Sequence, residues 1–87
     1  MVNDFILIEF GKRIRQLRID KGLSQEELSF ETGFHRTYIG MIERGERNIS
    51  LTNIVVFAKV FNLTVAEILS LRNDLKLKEK YQLKTQE

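Results

Sequence analysis

Two short helical segments separated by a glycine constrain this chain more than any other feature. Ser24 is followed three residues later by Glu27, the spacing of a capping box, in which a hydroxyl and a carboxylate satisfy the free N–H groups that open a helix. This helix is expected over about residues 25–31 with Leu28 inward, and Gly33 supplies the turn that follows. A second short helix is expected over about residues 36–44, with Ile39 and Ile42 inward, His35 at or near its cap and Gly45 at its end.

The flanking segments are helical too. Asn3 or Asp4 can cap a helix over about residues 5–21 in which Phe10, Ile14 and Leu17 recur on one side, and Gly22 stops it in a left-handed conformation. Its other side carries Lys12, Arg13, Arg15 and Arg18, with Lys21 in the last turn, and reads by default as a solvated face. After "ERNIS" a fourth helix, over about residues 52–61, carries Ile54, Val55, Phe57, Ala58 and Phe61, with Asn62 as a left-handed cap. Thr64 and Glu67 repeat the capping-box spacing and open a fifth helix over about residues 65–72, with Val65, Ile68, Leu69 and Leu71 as its apolar surface. No proline and only five glycines favour helices with short connections over a turn-rich sheet. The fold class is therefore all-α, a compact five-helix domain over residues 1–72. Residues 73–87, in which Leu75 and Leu77 are diluted by charges, form a helical extension or a disordered tail.

Composition removes several classes of function. A chain of 87 residues closes one modest core. Without cysteine there is no disulfide framework or thiolate metal site, and a reducing, cytoplasmic setting is the simplest. No apolar run approaches the roughly 18 residues of a membrane span, and the N-terminus lacks the basic start of a secretory signal. The lone His35 has no second ligand beside it, so no metal is expected. Serines and threonines lack a neighbouring His–acid pattern and no glycine-rich phosphate loop occurs, so neither an enzyme nor a cofactor is expected. The net charge of +2 permits an anionic partner without requiring one.

Two short helices around a glycine turn, with one helix before and two after, match the organisation that places a second, recognition helix in the major groove of DNA. "SQEELSFETGFHRTYIGMIERG", extended upstream by "IRQLRIDKGLSQEEL", resembles the lambda-repressor-like helix-turn-helix family over roughly residues 10–71. Within it, "HRTYIGMIERGERNISL" looks most like the controller proteins of restriction–modification operons, small dimers with an Arg-Thr-Tyr run on the recognition helix.

The recognition helix begins with Arg36, Thr37 and Tyr38, exposed where base edges and phosphates lie if its N-terminus points into the groove. The guanidinium fork of Arg36 suits guanine O6 and N7, although a plain surface charge is the competing reading. Thr37 offers a hydroxyl or a methyl for thymine. Tyr38 suits a phosphate or base edge, or else a partly buried core position. His35 is either a phosphate donor or simply a cap. Gly40 and Met41 lie further along, where relatives use longer polar side chains, so fewer positions are expected to be read directly there. By resemblance Gln25 bonds a phosphate from the start of the preceding helix, and Arg47 and Asn48 contact the backbone, with Arg44 adding charge to the same surface. The resemblance also implies a buried ion pair between Arg18 and Glu43.

One recognition helix reads too few base pairs for a unique operator, whereas a two-fold dimer presents two helices about 34 Å apart. The expected partner is therefore a double-stranded DNA operator with two-fold related half-sites, bound by a homodimer. Phe61, Leu63, Val65, Ile68 and Leu69 are the candidate interface and serve equally well as core. A phage-type repressor or an antitoxin would use the same DNA surface, and a protein-interaction adaptor is the alternative of another class.

Overall fold

The computed structural model describes residues 4–72, 76 and 79–81. Within them the chain forms α1 (Phe5–Asp20), α2 (Gln25–Thr32), α3 (Arg36–Glu43), α4 (Leu51–Val60) and α5 (Val65–Ile68), with no strand among the described residues. Ser24 and Thr64 each accept the N–H of the glutamate three residues on, while that glutamate accepts the cap's own N–H, so α2 and α5 open on complete capping boxes. Ser50 opens α4 by accepting from the Asn53 N–H. Asp4 begins α1 in extended backbone without a side-chain bond. A first-turn donor of α1 is met from far along the chain instead: the Tyr81 hydroxyl accepts from the Ile6 N–H at 2.9 Å. Of the segment 73–87, only residues 76 and 79–81 are described; Lys76, Glu79 and Lys80 have helical backbone, and the rest, Leu75 and Leu77 included, lies outside the described residues.

The helices meet around one core: α1 packs on α3, α2 on α3 and α4, and α4 on α5. Phe10 and Ile14 from α1, Leu28 from α2, Ile39 and Ile42 from α3, Ile54, Phe57 and Ala58 from α4 and Ile68 from α5 form its centre. Burying each large apolar side chain contributes about 1.5–3 kcal/mol. That outweighs the few tenths of a kcal/mol that each β-branched residue of α4 takes from helix propensity.

Two expectations are corrected. Val55 does not face the core and is 50% exposed, because Ile54, Phe57, Ala58 and Phe61 set the inward stripe and Val55 falls a hundred degrees from it. The fifth helix stops at Ile68 instead of reaching Arg72. Further turns would need the Glu67 and Ile68 carbonyls as acceptors for the N–H groups of Leu71 and Arg72. At this helix end Arg13 donates to both, to Glu67 at 2.8 Å and to Ile68 at 3.3 Å. Arg13 therefore ties α1 to the end of α5, and Lys21 likewise donates to the Val60 carbonyl at the end of α4 at 3.0 Å. Neither belongs to a purely solvated face.

Candidate nucleic-acid interface

The turn between α2 and α3 is closed by local chemistry. Gly33 takes φ +80°, a left-handed value that strains any residue with a Cβ, and its N–H bonds the Ser29 carbonyl. The Thr32 hydroxyl donates to the Leu28 carbonyl at 2.9 Å and accepts from the Phe34 N–H at 3.1 Å. His35 then caps α3, its Nδ1 accepting from the Thr37 N–H at 3.0 Å. A ring nitrogen that accepts carries no hydrogen, so the neutral ring bears its proton on Nε2, which makes the cap and a second, outward donor compatible.

Behind this surface lies the Arg18–Glu43 pair that the resemblance implied. Arg18 Nε meets Glu43 Oε2 at 2.6 Å and Nη2 meets Oε1 at 3.0 Å, with side chains only 12% and 3% exposed. Arg18 Nη1 also donates to the Leu23 carbonyl at 2.8 Å. The hydrogen bond that Arg18 donates to Glu43 holds its guanidinium above its ordinary pKa, against the opposing effect of burial. Gln25 Nε2 donates to Glu43 Oε1 at 3.1 Å. Because a carboxylate only accepts, the nitrogen of the Gln25 amide must face it, and that nitrogen keeps a second hydrogen for an anion at the start of α2.

The N-terminal half of α3 faces outward. Arg36 and Thr37 are exposed, and the Arg36 side chain keeps 66% of its surface free. Its ion pair with Glu26 is 3.9 Å long between two exposed groups, worth at most about 1 kcal/mol and readily exchanged for a base. Tyr38 is half-buried: the Phe34 ring meets it edge-on at 5.1 Å, the Arg47 guanidinium lies 5.5 Å over its face, and its hydroxyl accepts from Asn53 Nδ2 at 2.9 Å. The ring of Tyr38 is therefore partly core, as one of its two sequence readings had it. Asn48 is exposed and Met41 half-buried. Arg44 is exposed and donates to Glu46 through two hydrogen bonds of 3.0 and 3.1 Å, which raise its pKa. Asn53 was not evident as a candidate from sequence, where it reads as one more polar residue in the first turn of α4.

At the other end of the molecule Phe61, Leu63 and Leu69 are half-buried and Val65 is 37% exposed. Ile68 is fully buried within the single chain and has no surface to offer a partner, which corrects its place among the interface residues. No helix among the described residues is long and apolar enough to cross a membrane.

A family model described as Helix-turn-helix matches residues 14–68. Control protein C.BamHI of Bacillus amyloliquefaciens is 46% identical over 70 residues, covering 79% of this chain and 85% of that one. Control protein C.SmaI of Serratia marcescens is 43% identical over 60 residues, covering 69% and 71%. Among solved structures, the restriction–modification controller protein C.AhdI of Aeromonas hydrophila superposes with a TM-score of 0.68 at 48% identity, covering 71% of this chain and 94% of that one. The controller protein C.Esp1396I, solved as a tetramer in complex with its natural 35 base-pair operator, superposes with a TM-score of 0.70 at 28% identity, covering 87% and 95%.

Proposed function

Because the chain belongs to the lambda-repressor-like helix-turn-helix family, among the restriction–modification control proteins, we propose that it is a dimeric regulator of a restriction–modification operon and of its own gene. It is a DNA-binding transcription regulator and not an enzyme. In this reading residues 1–72 form the DNA-binding domain, and the protein works in the cytoplasm on the nucleoid.

The observation that carries the reading is the opening of α3. A buried core fixes Ile39 and Ile42, Glu43 locks Gln25 beside them, and Arg36 and Thr37 are left exposed in the first turn of the same short helix. Arg36 and Thr37 read bases, while Gln25, His35, Tyr38, Arg47 and Asn48 fix the register on phosphates.

The test is a mobility shift on the DNA upstream of the protein's own gene, across salt, beside an Arg36→Ala variant of native helicity. Loss of one bidentate base contact costs about 1–3 kcal/mol, so the variant is expected to lose about 5- to 150-fold in preference for the operator. Binding to unrelated DNA is expected to change far less. Weak, sequence-independent binding by the unaltered protein would instead favour the adaptor reading.

Phe61, Leu63, Val65 and Leu69 are proposed to join two copies. Val65 is the first residue of α5, where an aspartate suits the helix dipole, so Val65→Asp leaves the isolated chain stable. Burying its charge in the joint is expected to raise the dimer dissociation constant by about tenfold or more. Sedimentation at micromolar concentration checks this, and an unchanged dimer would move the interface elsewhere.

A further inference from the structure

We propose that Asn53, on α4, is a positioning residue that sets the polarity of the Tyr38 hydroxyl, so that its single hydrogen is delivered to a DNA phosphate. This rests on the reading that the start of α3 faces DNA. A phenol has one hydrogen to give and oxygen lone pairs to receive. Asn53 Nδ2 donates to the Tyr38 oxygen at 2.9 Å, which makes the oxygen an acceptor in that bond and leaves its hydrogen uncommitted. Among the described residues no acceptor takes that hydrogen.

The ring cannot swing to find one. Phe34 holds its edge at 5.1 Å and is itself packed against the fully buried Phe57 at 5.4 Å, while Arg47 covers its face. The Asn53 backbone is anchored in the first turn of α4, where its N–H is held by the Ser50 cap at 3.2 Å. The result is a hydroxyl donor beside a guanidinium, a pairing matched by an oxygen that only accepts and carries negative charge. A phosphate has both properties. The distance from α3 to α4 thereby becomes part of the DNA contact, although α4 itself lies outside the helix-turn-helix.

The test is a double-mutant cycle read by operator affinity, with helicity and melting recorded for every variant. Tyr38→Phe keeps the ring and removes the hydroxyl; a lost hydrogen bond to a charged group is expected to weaken binding about tenfold or more. Asn53→Leu, close in size but without a donor, is expected to weaken binding several-fold alone, and no further than about twofold when added to Tyr38→Phe. Asn53→Asp offers only an acceptor, captures the hydroxyl hydrogen, and is expected to lose at least as much as Tyr38→Phe. Because a phosphate carries no sequence, operator and unrelated DNA should weaken by similar factors.

The inference is overturned if Asn53→Leu weakens binding equally with and without the hydroxyl, which makes Asn53 an independent contact, or if Asn53→Asp binds as well as the unaltered protein, which reverses the polarity. If Tyr38→Phe itself binds normally, the underlying reading of Tyr38 has failed, and the inference falls with it.

Discussion

Replacing Glu43 with alanine is expected to leave the protein largely unfolded at 37 °C. The side chain of Arg18 is 12% exposed and spends two of its hydrogen bonds on Glu43. Truncating the acid strands that charge, with a penalty of about 3–5 kcal/mol. Small domains have only about 5–15 kcal/mol to lose, and one of this size lies at the low end. Thermal melting should fall by more than about 12 °C. An alanine variant that melts within a few degrees of the unaltered protein would remove the ion pair from any account of stability.

The same site separates folding from function. Arg18→Met combined with Glu43→Leu removes both charges and fills the space with apolar groups, so stability is expected to return close to its original value. DNA binding is not expected to return with it. Gln25 loses the carboxylate that holds its amide at 3.1 Å, and the donor at the start of α2 is no longer aimed. A well-folded double variant that binds operator normally would show that the network serves the fold alone.

The helix ends were legible in sequence because their chemistry is local. The Ser24–Glu27 and Thr64–Glu67 pairs form the capping boxes their spacing implies, and Gly22 and Asn62 take the left-handed backbone expected of them. The inward residues of α1, α2 and α3 followed from helical periodicity for the same reason. The pairing of Arg18 with Glu43 has no local signature, since 25 positions separate the two, and it was reached through resemblance alone.

What escaped the sequence depends on which helix lies against which. The bonds from Arg13 to the end of α5 join positions more than fifty apart in the chain. Asn53 gained a role only when α4 came within 2.9 Å of the Tyr38 hydroxyl. Leu51 and Val55 are apolar yet 74% and 50% exposed, so hydrophobicity alone misplaces them. Ile68, conversely, has the character of an interface residue and none of the exposure.

Gly11→Ala is the second large expected effect, and its sign is opposite to what helix propensity predicts. Alanine is favoured over glycine by about 1 kcal/mol inside an exposed helix. Gly11, however, sits where α1 crosses the end of α3. A Cβ there would press into the Ile42 carbonyl oxygen and lie 2.6 Å from the Glu43 carbonyl oxygen and 2.9 Å from its carbon. These are backbone atoms and no rotamer change moves them. The Ile42 carbonyl also accepts from the Gly45 N–H at 3.0 Å, within the turn that ends α3, so shifting it opens that turn. Moving α1 away instead separates Phe10 and Ile14 from Ile39 and Ile42 and stretches the 2.6 Å Arg18–Glu43 contact. Overpacking that side chains can absorb costs about 1–3 kcal/mol, and a clash with fixed backbone is expected to exceed about 3 kcal/mol. Gly40→Ala is the control. Its Cβ would meet only the ends of flexible side chains, Arg44 Nη1 at 3.0 Å and Gln25 Oε1 at 3.6 Å. With the propensity gain, that variant should be as stable as the unaltered protein or more so. Urea denaturation of the two variants side by side decides the point: equal midpoints would mean that α1 and α3 do not approach each other this closely in solution.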